Sequence, residues 1–194
     1  MSDSTLTDAA PPDVDLIRLA ARGERDAFAV LVGRHAASIH RLALAMTHRQ
    51  DLAEDILQQT FLAAWRTVRT FRGDASVRTW LLTIARHAAS RARTRHEAAR
   101  IDGTPLEELG LRAGWGDPER HAIRAERRHR LAAAFGRLAA DDREILTLRE
   151  LEGLSGEETA AVLGVGLPAM KSRLHRARLR LAAEWRKEAG HAAP

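Results

Sequence analysis

The stretch Leu154–Leu181, LSGEETAAVLGVGLPAMKSRLHRARLRL, restricts the fold more than any other part of the chain. Ser155 with Glu158 forms a capping-box pattern, so the spacing predicts a short helix from there to Leu163. Gly164, Val165 and Gly166 then break the pattern, as a tight turn between two helices would. A second apolar series follows at helical spacing: Leu167, Met170, Leu174, Ala177 and Leu181. On a helical wheel the opposite face carries Pro168, Ser172, His175, Arg176 and Leu179, flanked by Lys171 and Ala169. A short helix, a glycine turn and a basic amphipathic helix make a helix-turn-helix, whose second helix can enter a major groove. Arginine reads guanine edges there at roughly 1–3 kcal/mol per good bidentate pair. Taken alone, the same stretch also fits an αα-hairpin with a solvated basic face.

The rest of the chain is helical in pattern. Pro11-Pro12 closes a polar start, and Asp13 can cap a helix reaching about Ala21, stopped near Gly23. Another is predicted from about Arg25 to Met46, with Phe28, Leu31, Ile39, Leu42 and Met46 on one side. A third opens at Asp51, DLAEDILQQTFLAAWRTV, and buries Leu52, Ile56, Phe61 and Trp65. TFRGDASVRT breaks the rhythm and reads as a loop, with Asp74 or Ser76 available to cap the helix after it. That helix starts apolar (Val77, Trp80, Leu81, Ile84) and ends basic. From about His96 to Asp117 the periodicity is lost and Gly and Pro breaks accumulate, as in a linker. Pro118 suits the first turn of a helix to about Leu138, and Asp141 with Glu144 reads as a capping box for the next, which stops at Gly153. No strand-like alternation of any length occurs. The expected fold is all-α: a tail at 1–12, a helical domain at 13–96, a flexible linker at 97–117, a second helical domain at 118–188 and a tail at 189–194.

Composition narrows the function. Hydrophobic residues make up 45% of the 194, enough for packed cores in one domain or two small ones. A net charge of +5 and a pI near 10.9 suit an anionic partner. Cysteine is absent, which excludes disulfides and thiolate metal sites and fits a reducing cytoplasm. No apolar run approaches the ~20 residues needed to span a bilayer, and MSDSTLTDAAPPD lacks the apolar segment of a secretory signal. A cytoplasmic chain without membrane insertion is expected. Among the nine histidines, neither His35 with His40 nor His121 with His129 lies at metal-ligand spacing to acids, and no HExxH occurs. There is no nucleophile elbow, P-loop or dinucleotide-binding glycine motif. No catalytic residue, metal or cofactor is expected.

Three segments together, AEDILQQTFLAAWR at 53–66, FRGDASVRTWLLTIAR at 71–86 and LSGEETAAVLGVGLPAMKSRLHRAR at the C-terminal end, resemble bacterial sigma factors. More narrowly, they resemble the extracytoplasmic-function subgroup of the sigma-70 superfamily, which keeps only domains two and four. The resemblance covers nearly all of residues 13–185, in the right order and at the right separation. It implies a non-enzymatic factor that binds core RNA polymerase and opens promoters recognised at their −35 and −10 elements. It implies contacts with the β′ clamp helices and the β flap, and an anti-sigma factor as partner.

The resemblance also assigns residues. Glu54, Asp55, Gln58 and Gln59 fall where the family docks on the β′ clamp helices, although the family usually has an acid at the position of Gln59. Phe71, Arg72, Asp74 and Arg78 fall on the loop that engages the −10 element, followed by Arg86, His87, Arg91, Arg93 and Arg95 along the strand backbone. Family members usually carry Asn at the His87 position and Asp at that of Arg91. Pro168, Ala169, Lys171, Ser172, Arg173, His175 and Arg176 correspond to the −35-reading helix. The wheel points Ser172, His175 and Arg176 at the groove, with Lys171 and Arg173 at its edges near phosphates. Ala169 cannot donate a hydrogen bond, so it reads a thymine methyl or nothing.

Aromatics are only 4% of the chain and Tyr is absent. Base stacking contributes roughly 1–3 kcal/mol, and each duplex step resists opening by about 1.4 kcal/mol. Weak intrinsic melting and dependence on a well-matched promoter are therefore expected. The linker, at roughly 3.3 Å per residue, spans some 65 Å when extended, which exceeds one ~34–36 Å turn of DNA. The rival is a free-standing helix-turn-helix regulator whose first domain senses a ligand or dimerises; it would bind duplex DNA alone. An enzyme is the third class, against which the absent motifs argue.

Overall fold

The computed structural model of the chain describes residues 11–96 and 118–191. The expected linker 97–117 and most of the expected N-terminal tail lie outside them. The described residues hold eight α-helices and no strand. These are α1 (Asp13–Ala21), α2 (Arg25–Thr47), α3 (Gln50–Thr67), α4 (Val77–His96), α5 (Pro118–Gly136), α6 (Ala140–Leu146), α7 (Gly156–Leu163) and α8 (Leu167–His191). A 3-10 turn at Val68–Thr70 follows α3, and a π-type turn at Thr147–Leu151 follows α6.

Helices α1 to α4 form the first unit. Asp13 does not cap α1 as expected: it lies inside the first turn after Pro12, and its carboxylate instead accepts hydrogen bonds from Arg34 and His35, which fastens α1 to α2. The apolar stripes meet where predicted: Ile17, Leu31, Ile39, Leu42, Ile56, Leu81 and Leu82 are all within 2% of full burial. Phe61 and Trp65 are core aromatics, with Phe28 packed edge-on at centroid distances of 6.2 and 5.0 Å. Of the two cap candidates before α4, Ser76 does the work: its hydroxyl accepts from the Thr79 amide at 3.1 Å.

The second unit ends in the helix-turn-helix. Ser155 and Glu158 form the reciprocal capping box, and Gly164 closes α7 in the left-handed region at φ 65°. A side chain there would be strained, which is why the turn needs glycine. Gly156 serves the packing instead: an added Cβ would come within 3.1 Å of Met170 and 3.2 Å of Leu167 on α8. Met170, Leu174 and Ala177 are buried as the spacing predicts. Helix α8 continues to His191, past the expected boundary at 188.

A second expectation is corrected. Asp141 and Glu144 do not form a capping box; α6 starts at Ala140 after Ala139, with no side-chain cap. Both acids lie inside the helix and turn to arginines of the first unit, Asp141 to Arg93 and Glu144 to Arg86. Those charged partners outcompete the backbone amides a cap would have served.

The two units are packed together: α6 lies on α2 and α7 on α4. Buried residues from Leu16 to Ala177 form a single apolar cluster. His48, which ends α2 at φ 56°, sits at this junction, with its ring near Gly136 and its buried Nε2 unpartnered. Burial, reinforced by the charge of Arg143, lowers its pKa from 6.5 to about 4. The folded chain thus refuses a proton that the unfolded chain accepts. This contribution is complete above about pH 6.5 and is lost as pH falls towards 4. Discounted for the exposed part of the ring, the loss is about 1–2 kcal/mol. Urea midpoints should fall between about pH 7.5 and pH 5, and His48→Met should remove that part of the slope. An equal slope in the variant would contradict this.

Candidate nucleic-acid interface

Three surfaces carry the residues singled out in the sequence. On α3, Leu52, Ala53, Ile56 and Thr60 turn inward, which leaves Glu54, Asp55, Gln58 and Gln59 exposed on the other side. Gln50 donates to Glu54 at 3.2 Å. One further residue belongs to this face: Leu62, a turn beyond Gln58, is 57% exposed. It adds an apolar side chain to an otherwise polar surface. Its position off the Ile56–Thr60 stripe was the signal available in the sequence.

The nine residues assigned to the −10 element divide into groups. Phe71 is half-buried against Trp80, with centroids 5.3 Å apart and planes tilted by 59°, so one face of its ring is already covered. Arg72 and Asp74 are exposed on the loop, and His87, Arg91 and Arg95 are exposed on α4. Gln59, Ser90, Arg91, Thr94 and Arg95 line an open groove between α3 and α4. The remaining three, Arg78, Arg86 and Arg93, reach across to the second unit. Arg78 pairs with Glu152, Arg86 with Glu144 at 2.7 Å and Arg93 with Asp141 at 3.0 Å.

Glu152 was not anticipated. Its carboxylate has no exposed surface and accepts from Ser38 at 2.6 Å, from Arg41 at 2.7 Å and from Arg78. Burial would raise its pKa, but the hydrogen bonds from Arg41 and Ser38, the charge of Arg41 and the bond from Arg78 hold it below the ordinary range. At Glu144 the balance is reversed: burial is the larger effect and lifts the carboxyl above its usual value despite Arg86.

On α8, Pro168, Ala169, Lys171, Ser172, Arg173, His175 and Arg176 are all exposed on the face opposite Met170, Leu174 and Ala177. Arg176 lies 3.5 Å from the Ser172 hydroxyl, one turn away. This stretch presents a row of cations with the Ser172 hydroxyl, whereas further along α8 Arg178 and Arg180 pair with Glu150 and Asp142. Lys171→Ala should lower affinity for duplex DNA evenly across sequences and flatten its salt dependence by about one unit of log–log slope. Arg176→Ala should instead relax base preference, at about 1–3 kcal/mol for the base it reads. Selection from a randomised duplex pool separates the two; an unchanged consensus for Arg176→Ala would refute its placement in the groove.

Among the described residues, no group of three or more His, Asp or Glu side chains could hold a metal, and no helix is long and apolar enough to cross a membrane.

Among the described residues the chain is all-helical, and an exposed basic helix-turn-helix behind an arginine-rich helix is the pattern of a nucleic-acid-binding protein. The family models described as Sigma-70 region 2 and Sigma-70, region 4 match residues 31–99 and 128–181. The RNA polymerase sigma factor CnrH of Cupriavidus metallidurans is 31% identical over 184 residues, covering 89% of this chain and 95% of that protein. The ECF RNA polymerase sigma-E factor of Escherichia coli is 31% identical over 173 residues, covering 86% and 90%. The solved structure of CnrH in complex with the cytosolic domain of CnrY superposes with a TM-score of 0.63 at 30% identity, over 88% of this chain and 95% of that one. The sigma factor RpoE in complex with the anti-sigma factor NepR, from Bartonella quintana, gives 0.62 at 26% identity, over 81% and 93%. This chain belongs to the extracytoplasmic-function group of the sigma-70 family of RNA polymerase sigma factors. It is a factor for promoter-specific transcription initiation.

Proposed function

We propose that the two units divide the work of initiation between named surfaces of this chain. The α3 face, Glu54, Asp55, Gln58 and Gln59 with Leu62, docks on the β′ clamp helices of core polymerase. The loop and basic face of α4, from Phe71 to Arg95, hold the non-template strand of the −10 element. Extruding a base costs a few kcal/mol, offset by contacts in a pocket, and the α4 arginines neutralise phosphates beside it. The α8 face, Pro168 to Arg176, lies in the major groove of the −35 element, with the second unit near the β flap. The first working domain is residues 13–96 and the second 118–188, with 97–117 as the linker between them.

The observation that supports this division is exposure: Glu54, Asp55, Gln58 and Gln59 on α3, His87, Arg91 and Arg95 on α4 and the Pro168–Arg176 face of α8 are all turned to solvent. Chemistry is left to the polymerase, so this chain acts without cofactor or catalytic residue, in the cytoplasm where its template lies. An anti-sigma protein is the expected regulator, since relatives were solved bound to CnrY and to the anti-sigma factor NepR.

Hydroxyl-radical footprinting of the polymerase complex on promoter DNA tests the reading. Two protected patches more than one helical turn apart are expected. A single patch, or the same footprint from the chain without polymerase, would overturn it in favour of a free-standing regulator.

A further inference from the structure

We infer that the groove between α3 and α4 seats one nucleotide of the −10 strand, and that Gln59 reads its base. The inference deepens the −10 assignment of α4 proposed above and rests on it. Its basis is where the fold puts Gln59. Family resemblance places this residue on the polymerase face with Glu54, Asp55 and Gln58. Of those four, Gln59 alone also lines the groove, opposite Ser90, Arg91, Thr94 and Arg95.

The juxtaposition follows from the sequence of α4. Its buried stripe is Ala85, Ala88, Ala89 and Ala92, and such small side chains let a neighbouring helix approach closely. Ser90, Arg91, Thr94 and Arg95 recur at helical spacing beside that stripe and so share one edge of the helix. On α3, Thr60 is wholly buried, and Gln59 before it comes to the rim. His87, exposed one turn before Arg91, continues the row back toward the loop that begins at Phe71. Gln59 thus stands where the polymerase face and the strand face meet.

The chemistry of the groove suits a nucleotide. None of its lining residues is acidic. Arg91 and Arg95 are in no ion pair among the described residues, whereas Arg78, Arg86 and Arg93 are each tied to a carboxylate. Arg95 donates from Nε to the Arg91 carbonyl at 3.3 Å, which steadies its stem and leaves its terminal nitrogens for a phosphate. Thr94 gives its hydroxyl proton to the Ser90 carbonyl at 3.1 Å and so offers the groove an acceptor. The Gln59 side chain makes no hydrogen bond among the described residues. Its amide carries an acceptor beside a donor, the complement of a base edge such as N6 and N7 of adenine. A carboxylate at this position would pair with the two arginines; the neutral amide leaves them open. At about 610 Å³ the groove has room for a nucleotide and not only for a phosphate.

The test uses the full chain loaded on core polymerase at saturating concentration, so that the share of Gln59 in docking does not enter the readout. The probe is a randomised pool of single-stranded DNA 12-mers. Bound strands are sequenced, strands held by core polymerase alone are subtracted, and affinity for the parent consensus strand is measured by fluorescence titration. Gln59→Ala should erase preference at one position of the consensus and weaken binding of the consensus strand about tenfold. Gln59→Glu should weaken every sequence about tenfold, because the new carboxylate occupies Arg91 and Arg95. Arg91→Ala with Arg95→Ala should lower affinity for all sequences alike and keep the preference. All three positions are exposed, so the fold is retained. A parent-like consensus in Gln59→Ala overturns the inference, as does an equal loss across sequences, which a structural or docking role alone would give. If the arginine pair changes nothing, the −10 assignment of α4 falls as well. If it weakens binding while Gln59→Ala keeps the consensus, only the reading by Gln59 falls.

Discussion

Arg143→Ala lowers the unfolding free energy of this chain by about 3 kcal/mol, more than an ordinary polar substitution. Arg143 is 8% exposed and has carbonyls, not carboxylates, as its hydrogen-bond partners. Its Nε donates to the Ala45 carbonyl at 2.5 Å, and Nη1 donates to the Leu138 carbonyl. Ala45 lies in the last turn of α2, where carbonyls have no intrahelical partner, and Leu138 follows the end of α5. One guanidinium therefore caps two helix ends, where the helix dipoles favour a cation. Burial, with the nearby charge of Arg93, lowers its pKa to about 10, still well above neutrality. Each charged hydrogen bond contributes about 1.5–3 kcal/mol, and losing both leaves two buried carbonyls unpaired, less the desolvation that Arg143 itself no longer incurs. Urea unfolding measures the change. Arg143→Met, which keeps the stem but not the donors, should recover only the packing part. A loss below about 0.5 kcal/mol for alanine would show that water satisfies these carbonyls instead.

Reversing both acids of α3, with Glu54→Arg and Asp55→Arg together, is expected to weaken binding to core polymerase about 100-fold, or roughly 3 kcal/mol. Both side chains are exposed and lie off the buried stripe of Leu52, Ala53 and Ile56, so helix content and urea midpoint should stay at parent values. Duplex binding through α8 should also persist, because that face is built by other residues. Gln59→Glu should act in the opposite sense, restoring a charge where a neutral amide now stands. Fluorescence titration of labelled chain with core polymerase reads both variants. Parent-like affinity in the double reversal would remove α3 from the polymerase interface.

Much of this architecture was readable from periodicity. The stripe Leu167, Met170, Leu174, Ala177 put one face of α8 inside and so, by elimination, the Lys171–Arg176 face outside. Ser155 with Glu158 and Gly164 marked the limits of α7 because their chemistry is local: a hydroxyl, a carboxylate and a left-handed turn within a few residues. Asp141 with Glu144 shows where the same logic fails. The spacing fits a capping box, but arginines 48 and 58 residues away claim both carboxylates. Glu152 is the larger omission. Periodicity gives it no role, yet it is the buried partner of Ser38, Arg41 and Arg78. Pairing between units depends on how they dock, and no periodicity within either unit encodes that. The α3, α4 and α8 candidates were legible through family resemblance and their exposure through the wheel; the partial withdrawal of Arg78, Arg86 and Arg93 was legible through neither.

The most direct measurement of the whole account is run-off transcription by core polymerase, with and without this chain, from a library of genomic promoter fragments. Discrete transcripts that require the chain, and that share paired upstream elements, are the expected result. Transcripts that do not depend on the chain, or a chain that occupies single DNA sites and never recruits polymerase, would contradict it.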